Sequence, residues 1–195
     1  EVWARDTWLE VLGRFVQYVP EERRKGKVRP AEVVFPRYHQ FRAVRRLAAA
    51  AAQEGPGGAY LVQHSARSGK SRTIAWLVLR LANLFDAAGA RVFDVVLVVT
   101  DRRVLDDQLT DELRRFHHER AMVADVDGRK ELMEVRAART ARVILVTVQT
   151  LPYVTEALSD DRTRRFALVI DEAHSSQRGS SAEAMYRLLA EPAPD

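Results

Sequence analysis

Cysteine is absent from the 195 residues, which excludes a disulfide framework, thiolate chemistry and thiolate metal sites. Long apolar runs are missing too. None approaches the roughly 20 residues of a membrane span, and no secretory leader is visible at the start. The expectation is a cytoplasmic protein with no membrane partner. Charge of one sign is not in large excess either, with 31 Lys and Arg against 27 Asp and Glu, a formal net charge of +4. Such a balance permits a polyanion partner without requiring one, and an Arg-rich soluble chain with salt-bridged helices satisfies it equally. There is no initiating methionine and no internal repeat, and the chain stops at Ala193, Pro194 and Asp195. A fragment of a longer protein is the simplest expectation.

What is present suits one compact domain, since 47% of the residues are hydrophobic. Apolar residues at Trp3, Trp8, Leu9, Leu12, Phe15, Val16 and Val19 predict an amphipathic helix. The charged stretch from Pro20 to Pro30 then reads as a linker. Residues 1–30 are therefore expected to form an appendage on a main domain at 31–195. A second helix is predicted from Pro36 through Ala52, stopped by the glycine-proline cluster at 55–58. Apolar runs at 59–62, 92–99, 122–126, 142–148 and 166–170 predict strands, and helical patterns lie between them. Alternating strands and helices with wholly apolar runs imply an α/β fold, an open and mostly parallel sheet flanked by helices.

Two stretches carry chemistry. Residues 63–71 read Gln-His-Ser-Ala-Arg-Ser-Gly-Lys-Ser, placed between a predicted strand and a predicted helix as in a phosphate-binding loop. Backbone N–H groups around Ser68 and Gly69 would face an anion at the helix start. Lys70 would reach the outer phosphates and the Ser71 hydroxyl would reach Mg²⁺. Gly-Lys-Ser also serves as an ordinary helix start, and His64 stands where the general pattern has its first glycine. The second stretch is Asp-Glu-Ala-His at 171–174, following the apolar run 166–170. There Asp171 would hold Mg²⁺ and Glu172 would accept the proton of an attacking water. The plain alternative is a helix cap at Asp171 with Glu172 as first-turn acid. Both stretches leave a strand, so a parallel sheet brings them to one edge, and together they point to Mg-ATP.

With Phe35-Pro-Arg-Tyr-His-Gln40, Val98-Val-Thr-Asp-Arg-Arg-Val-Leu-Asp-Asp-Gln108 and Val146-Thr-Val-Gln149 added, the chain from about Phe35 to Met185 resembles the first motor domain of superfamily 2 helicases. It resembles more closely the motor subunit of type I restriction-modification enzymes. The resemblance implies a RecA-like fold, ATP and Mg²⁺ as cofactors, and DNA translocation. It assigns Gln40 to the adenine edge, with Phe35 or Arg37 beside the ring. Thr100, Asp101 and Arg102 would touch the DNA backbone, as would Thr147 and Thr150, and His174 would relay the state of the γ-phosphate. Gln40 as a solvent-facing helix residue, Thr100 with Asp101 as a helix cap, and His174 as a packing residue are the alternatives. His117 and His118 have no further ligand at useful spacing and do not make a metal site. The implied partners are the modification and specificity subunits, a second motor domain supplying an arginine finger, and a nuclease domain ahead of residue 30.

Three departures accompany the resemblance. Arg67 stands where the family usually has a glycine, so a left-handed backbone there carries a β-carbon at a cost of about 1 kcal/mol or more, and weaker ATP binding is the expected result. The strand that lies beside the DEAH strand in this fold, and the second motor domain, are not in the sequence, and neither is a nuclease signature. A DEAH-type helicase of another family and a non-hydrolysing nucleic-acid-binding module are the competing readings.

Overall fold

The computed structural model describes residues 4–24, 27–65, 67–100, 109, 111–113, 123–126, 141–159 and 164–171. The predicted helices around 129–139 and 182–190 lie outside them, as does most of the helix predicted after Thr100.

The centre is a four-stranded, all-parallel sheet in the order β6-β7-β5-β8, formed by β5 (Val95–Thr100), β6 (Val123–Val126), β7 (Val143–Thr147) and β8 (Phe166–Ile170). Every residue of β5 and β7 is buried, as their uninterrupted Val, Ile and Leu runs require of strands covered on both faces. Alternate residues point to opposite faces. Val96, Val98, Val143 and Leu145 join a large core with α2 (Tyr38–Glu54) and α3 (Lys70–Ala82). Val95, Leu97, Val99, Ile144 and Val146 form a second core with Leu151 and Val154 of α4 (Leu151–Ser159). The α/β expectation is borne out, with strand limits shifted by a few residues.

Expectations for 59–62 and for the first 30 residues are corrected. The apolar run 59–62 is not a strand; Tyr60, Leu61 and Val62 are exposed, Leu61 by 87%. An extended run becomes a strand only when a neighbour takes up its N–H and C=O groups, and β8 pairs with β5 alone among the described residues. Among the described residues the outer side of β8 is thus unpaired, and 59–62 has not closed onto it.

The charged stretch from Pro20 to Pro30 is not a linker. After α1 (Arg5–Arg14), strand β1 (Gln17–Val19) pairs with β4 (Glu32–Val34), and β2 (Glu22–Arg24) pairs with β3 (Lys27–Arg29), both antiparallel. The two ladders share one register, since Val19 faces Glu32 and Glu22 faces Arg29. They are the inner and outer parts of one hairpin, interrupted where Pro20 and Pro30 have no N–H to donate. The helix predicted over 3–19 ends at Arg14, and Val19 is a strand residue. Nor does this region stand apart from the core. Phe15, Val19 and Val34 are buried in the same cluster as Phe41, Val44 and Trp76. Phe15 packs edge-on against Phe41 at 5.0 Å, and the Trp76 indole N–H donates to the Phe15 carbonyl at 2.9 Å.

Candidate active site

The parallel register aligns the carboxyl ends of three strands. Thr100 lies opposite Thr147, and Val99 lies opposite Ile170, the residue before Asp171. The Asp171 N–H donates to the Val99 carbonyl at 2.9 Å, which extends the ladder by one bond and fixes the carboxylate at the strand exit. Asp171 is buried. A carboxylate taken from water needs a charged partner, and here the Lys70 Nζ stands 2.8 Å from its Oδ1. Lys70 is the first residue of α3 and is half-buried. The lysine of the first sequence stretch and the aspartate of the second thus meet at one point.

The loop leading into α3 is shaped by backbone and side-chain constraints together. Gly69 caps the helix at φ 86°, in the left-handed region. A β-carbon there would also sit 2.6 Å from the Gln40 Nε2 and would displace that side chain, so the left-handed turn and the Gln40 contact both favour glycine. Arg67 adopts φ 60° without being glycine, which is the conformation that its family position implies, at a cost of about 1–2 kcal/mol. The first N–H groups of α3 have no intrahelical acceptor and carry the positive end of the helix dipole. Ser68 and Ser71 beside them are half-buried.

Gln40 is buried rather than solvent-facing. Its Oε1 accepts the Arg37 N–H at 2.8 Å, which satisfies the N-cap donor at the start of α2, and its Nε2 donates to the Gly69 carbonyl at 2.9 Å. The residue therefore ties α2 to the loop. Phe35 and Arg37 are exposed next to it. His39 was missed by sequence reasoning, although it lies in the same segment. Its Nε2 donates to the Ser68 carbonyl at 3.2 Å, and its ring meets the His64 ring at 5.6 Å. The His64 Nδ1 lies 3.3 Å from the Ser68 hydroxyl. Burial pushes the His64 imidazole below its ordinary value, and repulsion from His39 and Lys70 pushes in the same direction.

The residues assigned to nucleic acid divide. Thr100, Thr147 and Thr150 are buried, and the Thr147 and Thr150 hydroxyls bond each other at 2.8 Å. Gln149 is the exposed side chain of that turn. Asp101, Arg102, Glu172 and His174 lie outside the described residues. Arg72 was also missed. It follows Lys70 by two positions, and its guanidinium reaches Glu32 at 3.0 Å and Glu112 at 3.3 Å. Among the described residues no group of three or more His, Asp or Glu forms a metal cage. No helix among them is long and apolar enough to cross a membrane.

The family model described as SWI2/SNF2 ATPase matches residues 39–193, and so spans both halves of this site. The chain belongs to the SWI2/SNF2 ATPase family. A stretch of 125 residues is also 29% identical to a Mycoplasma pneumoniae protein named as the C-terminal part of the type I restriction enzyme MpnIIP endonuclease subunit. The match covers 60% of this SWI2/SNF2 ATPase chain and 57% of that protein, so the chain spans less than two thirds of its relative's length.

Proposed function

We propose that this chain is the first motor domain of a DNA translocase in a type I restriction endonuclease complex. In this reading it binds Mg-ATP between the loop at 63–71 and the end of β8. The observation that carries the reading is the 2.8 Å approach of the Lys70 ammonium to the Asp171 carboxylate. An ammonium there would neutralise the outer phosphates, and the first N–H groups of α3 would take the remaining oxygens. The Ser71 hydroxyl and the Asp171 carboxylate are hard oxygen donors of the kind Mg²⁺ takes, few in number because phosphates and water complete its shell. Mg²⁺ would supply charge neutralisation across the β- and γ-phosphates. Glu172 is assigned to receive the proton of the attacking water and His174 to signal the γ-phosphate. Gln40, with Phe35 and Arg37 beside it, is assigned to adenine.

Thr100, Asp101, Arg102 and the turn from Thr147 to Thr150 are proposed to lie along the DNA backbone. The burial of the three threonines favours contact through main-chain groups and neighbouring side chains there rather than through their hydroxyls. Partners under this reading are DNA, a second motor domain and a nuclease domain of the same polypeptide, and the modification and specificity subunits, all in the cytoplasm. The name of the Mycoplasma relative supports the type I assignment.

Titration of Mg-ATP into the parent, Lys70→Ala and Asp171→Ala tests the reading. Binding by the parent and its loss in both variants is expected. No measurable binding by the parent, or unchanged binding in Lys70→Ala, would remove the motor assignment. Turnover by this chain alone is expected to be very low, because an arginine finger supplied by another domain is worth 10³–10⁵ in rate.

A further inference from the structure

A groove of about 380 Å³ lies between α1 and α2, lined by Thr7, Tyr38, Phe41, Arg42, Arg45 and Arg46. At about 100° per residue, Tyr38, Arg42, Arg45 and Arg46 lie on the side of α2 opposite Gln40, Val44 and Ala51, which are buried. Gln40 is tied to the Gly69 carbonyl. The groove is therefore separate from the loop at 63–71.

Its charge is one-sided. The Arg45 Nε lies 3.2 Å from one carboxylate oxygen of Glu10, and Arg80 of α3 approaches the other at 3.6 Å. Asp6, the second acid of α1, is exposed and does not line the groove. Arg42 and Arg46 are exposed, and their guanidinium groups have no acid or other acceptor among the described residues. Thr7 is only 5% exposed, yet its hydroxyl has no hydrogen-bond partner among those residues either. A buried hydroxyl left unpaired costs free energy, and an occupant bearing an acceptor removes that cost. Arginines on a helix surface are ordinarily solvated; the cavity and the unpaired buried hydroxyl set this cluster apart.

Guanidinium groups one turn apart suit a phosphate, to which each offers a planar fork of donors. The volume lies within the range of small-molecule sites. The exposed Tyr38 and the buried Phe41 supply aromatic surface for a flat ring, and the Arg45 guanidinium stands 5.8 Å from the centre of the Phe41 ring. A polynucleotide backbone fits less well, because the cations end after little more than one turn: residues 47–52 are Leu and five Ala.

We propose that this groove is a second ligand site, which binds a small phosphate monoester carrying a flat ring, the chemistry of a mononucleotide. Arg42 and Arg46 hold the phosphate, Thr7 donates to it, and Tyr38 and Phe41 flank the ring. The site stands whether or not the loop at 63–71 binds Mg-ATP.

Calorimetric titration of AMP, adenosine and inorganic phosphate at low salt tests this on the parent, Arg42→Gln/Arg46→Gln, Thr7→Val and Lys70→Ala. The parent is expected to bind AMP more tightly than adenosine or phosphate. The arginine variant should lose about tenfold or more in AMP affinity, and Thr7→Val about threefold to tenfold. Neither should melt below the parent, because the arginines are exposed and a methyl replaces an unpaired buried hydroxyl. Lys70→Ala should keep its AMP affinity. The site is overturned if the parent does not bind AMP, if AMP binds no tighter than phosphate, or if the arginine variant keeps the parent's affinity. Loss of AMP binding in Lys70→Ala, or of Mg-ATP binding in the arginine variant, would merge the groove with the loop and overturns it too. Mg-ATP binding that disappears only in Lys70→Ala supports the motor reading whatever AMP does, so the two readings fail separately.

Discussion

Two apolar runs lead into the candidate site, and the fold treats them differently. Phe166–Ile170 is a strand paired along its length with β5 and delivers Asp171. Ala59–Val62 has similar composition and leads to the loop at 63–71, yet it is not in a sheet and is exposed. The difference lies in the neighbours and not in the runs themselves. The aspartate is positioned by a backbone ladder, whereas the lysine is positioned by α3 and by side chains reaching across from α2. The two halves of one site thus rest on different kinds of interaction, and they should fail in different ways.

The largest expected contrast is in the apolar side chains. Leu97→Ala, in the fully buried centre of β5, should lower stability by about 2–5 kcal/mol, whereas Leu61→Ala should change it by less than about 0.5 kcal/mol. Urea unfolding of both measures this, and a comparable loss at Leu61 would mean that 59–62 is buried in solution. Next comes Gln40→Ala, which strips the side-chain acceptor from the Arg37 N–H and leaves the Gly69 carbonyl with only Thr73 as its donor. It should cost about 1–3 kcal/mol and weaken nucleotide binding by loosening the loop, while Asp171 stays in place on its ladder. Wild-type ATP affinity in a stable Gln40→Ala protein would show that the loop is held elsewhere.

A smaller effect is expected from Arg67→Gly. Relief of left-handed strain is worth about 1 kcal/mol, offset in part by the extra freedom glycine gives the unfolded chain. If that strain opposes the nucleotide-bound loop, ATP affinity should rise by about fivefold, and calorimetric titration beside the parent checks it. The smallest is a pH effect at His64. Its folded-state value lies below the ordinary 6.5, so the unfolded chain takes up the proton first as pH falls. Stability from this group is complete above about 6.5 and declines through the interval down to the lowered folded value. Melting midpoints between pH 8 and pH 5 should therefore fall a little more steeply for the parent than for His64→Gln.

Much of the fold was legible because its signals were local and redundant. The runs that became β5, β7 and β8 are continuous and apolar, and a strand covered on both faces needs no other signal. Lys70 and Asp171 could be paired in advance because both lie at element ends that a parallel sheet collects on one edge. Three features were not legible, each for a stated cause. The hairpin was hidden because prolines and charges mark breaks, and here they mark only an interruption in a ladder whose register continues. The exposure of 59–62 was hidden because composition does not say whether a partner strand is present. The role of Gln40 in joining α2 to Gly69 was hidden because that contact spans 29 positions.

By itself, the sequence determined which side chains are gathered at the candidate site, since a glycine-lysine-serine helix start and a strand-end aspartate follow from backbone chemistry close at hand. It also determined the buried centre of the sheet. Only the tertiary structure decided which apolar runs became strands and that a charged segment folds back on itself. It alone decided that a glutamine and two histidines, rather than a strand ladder, hold the loop. Those outcomes depend on hydrogen-bond partners distant in the chain, and partner choice is settled when the elements pack.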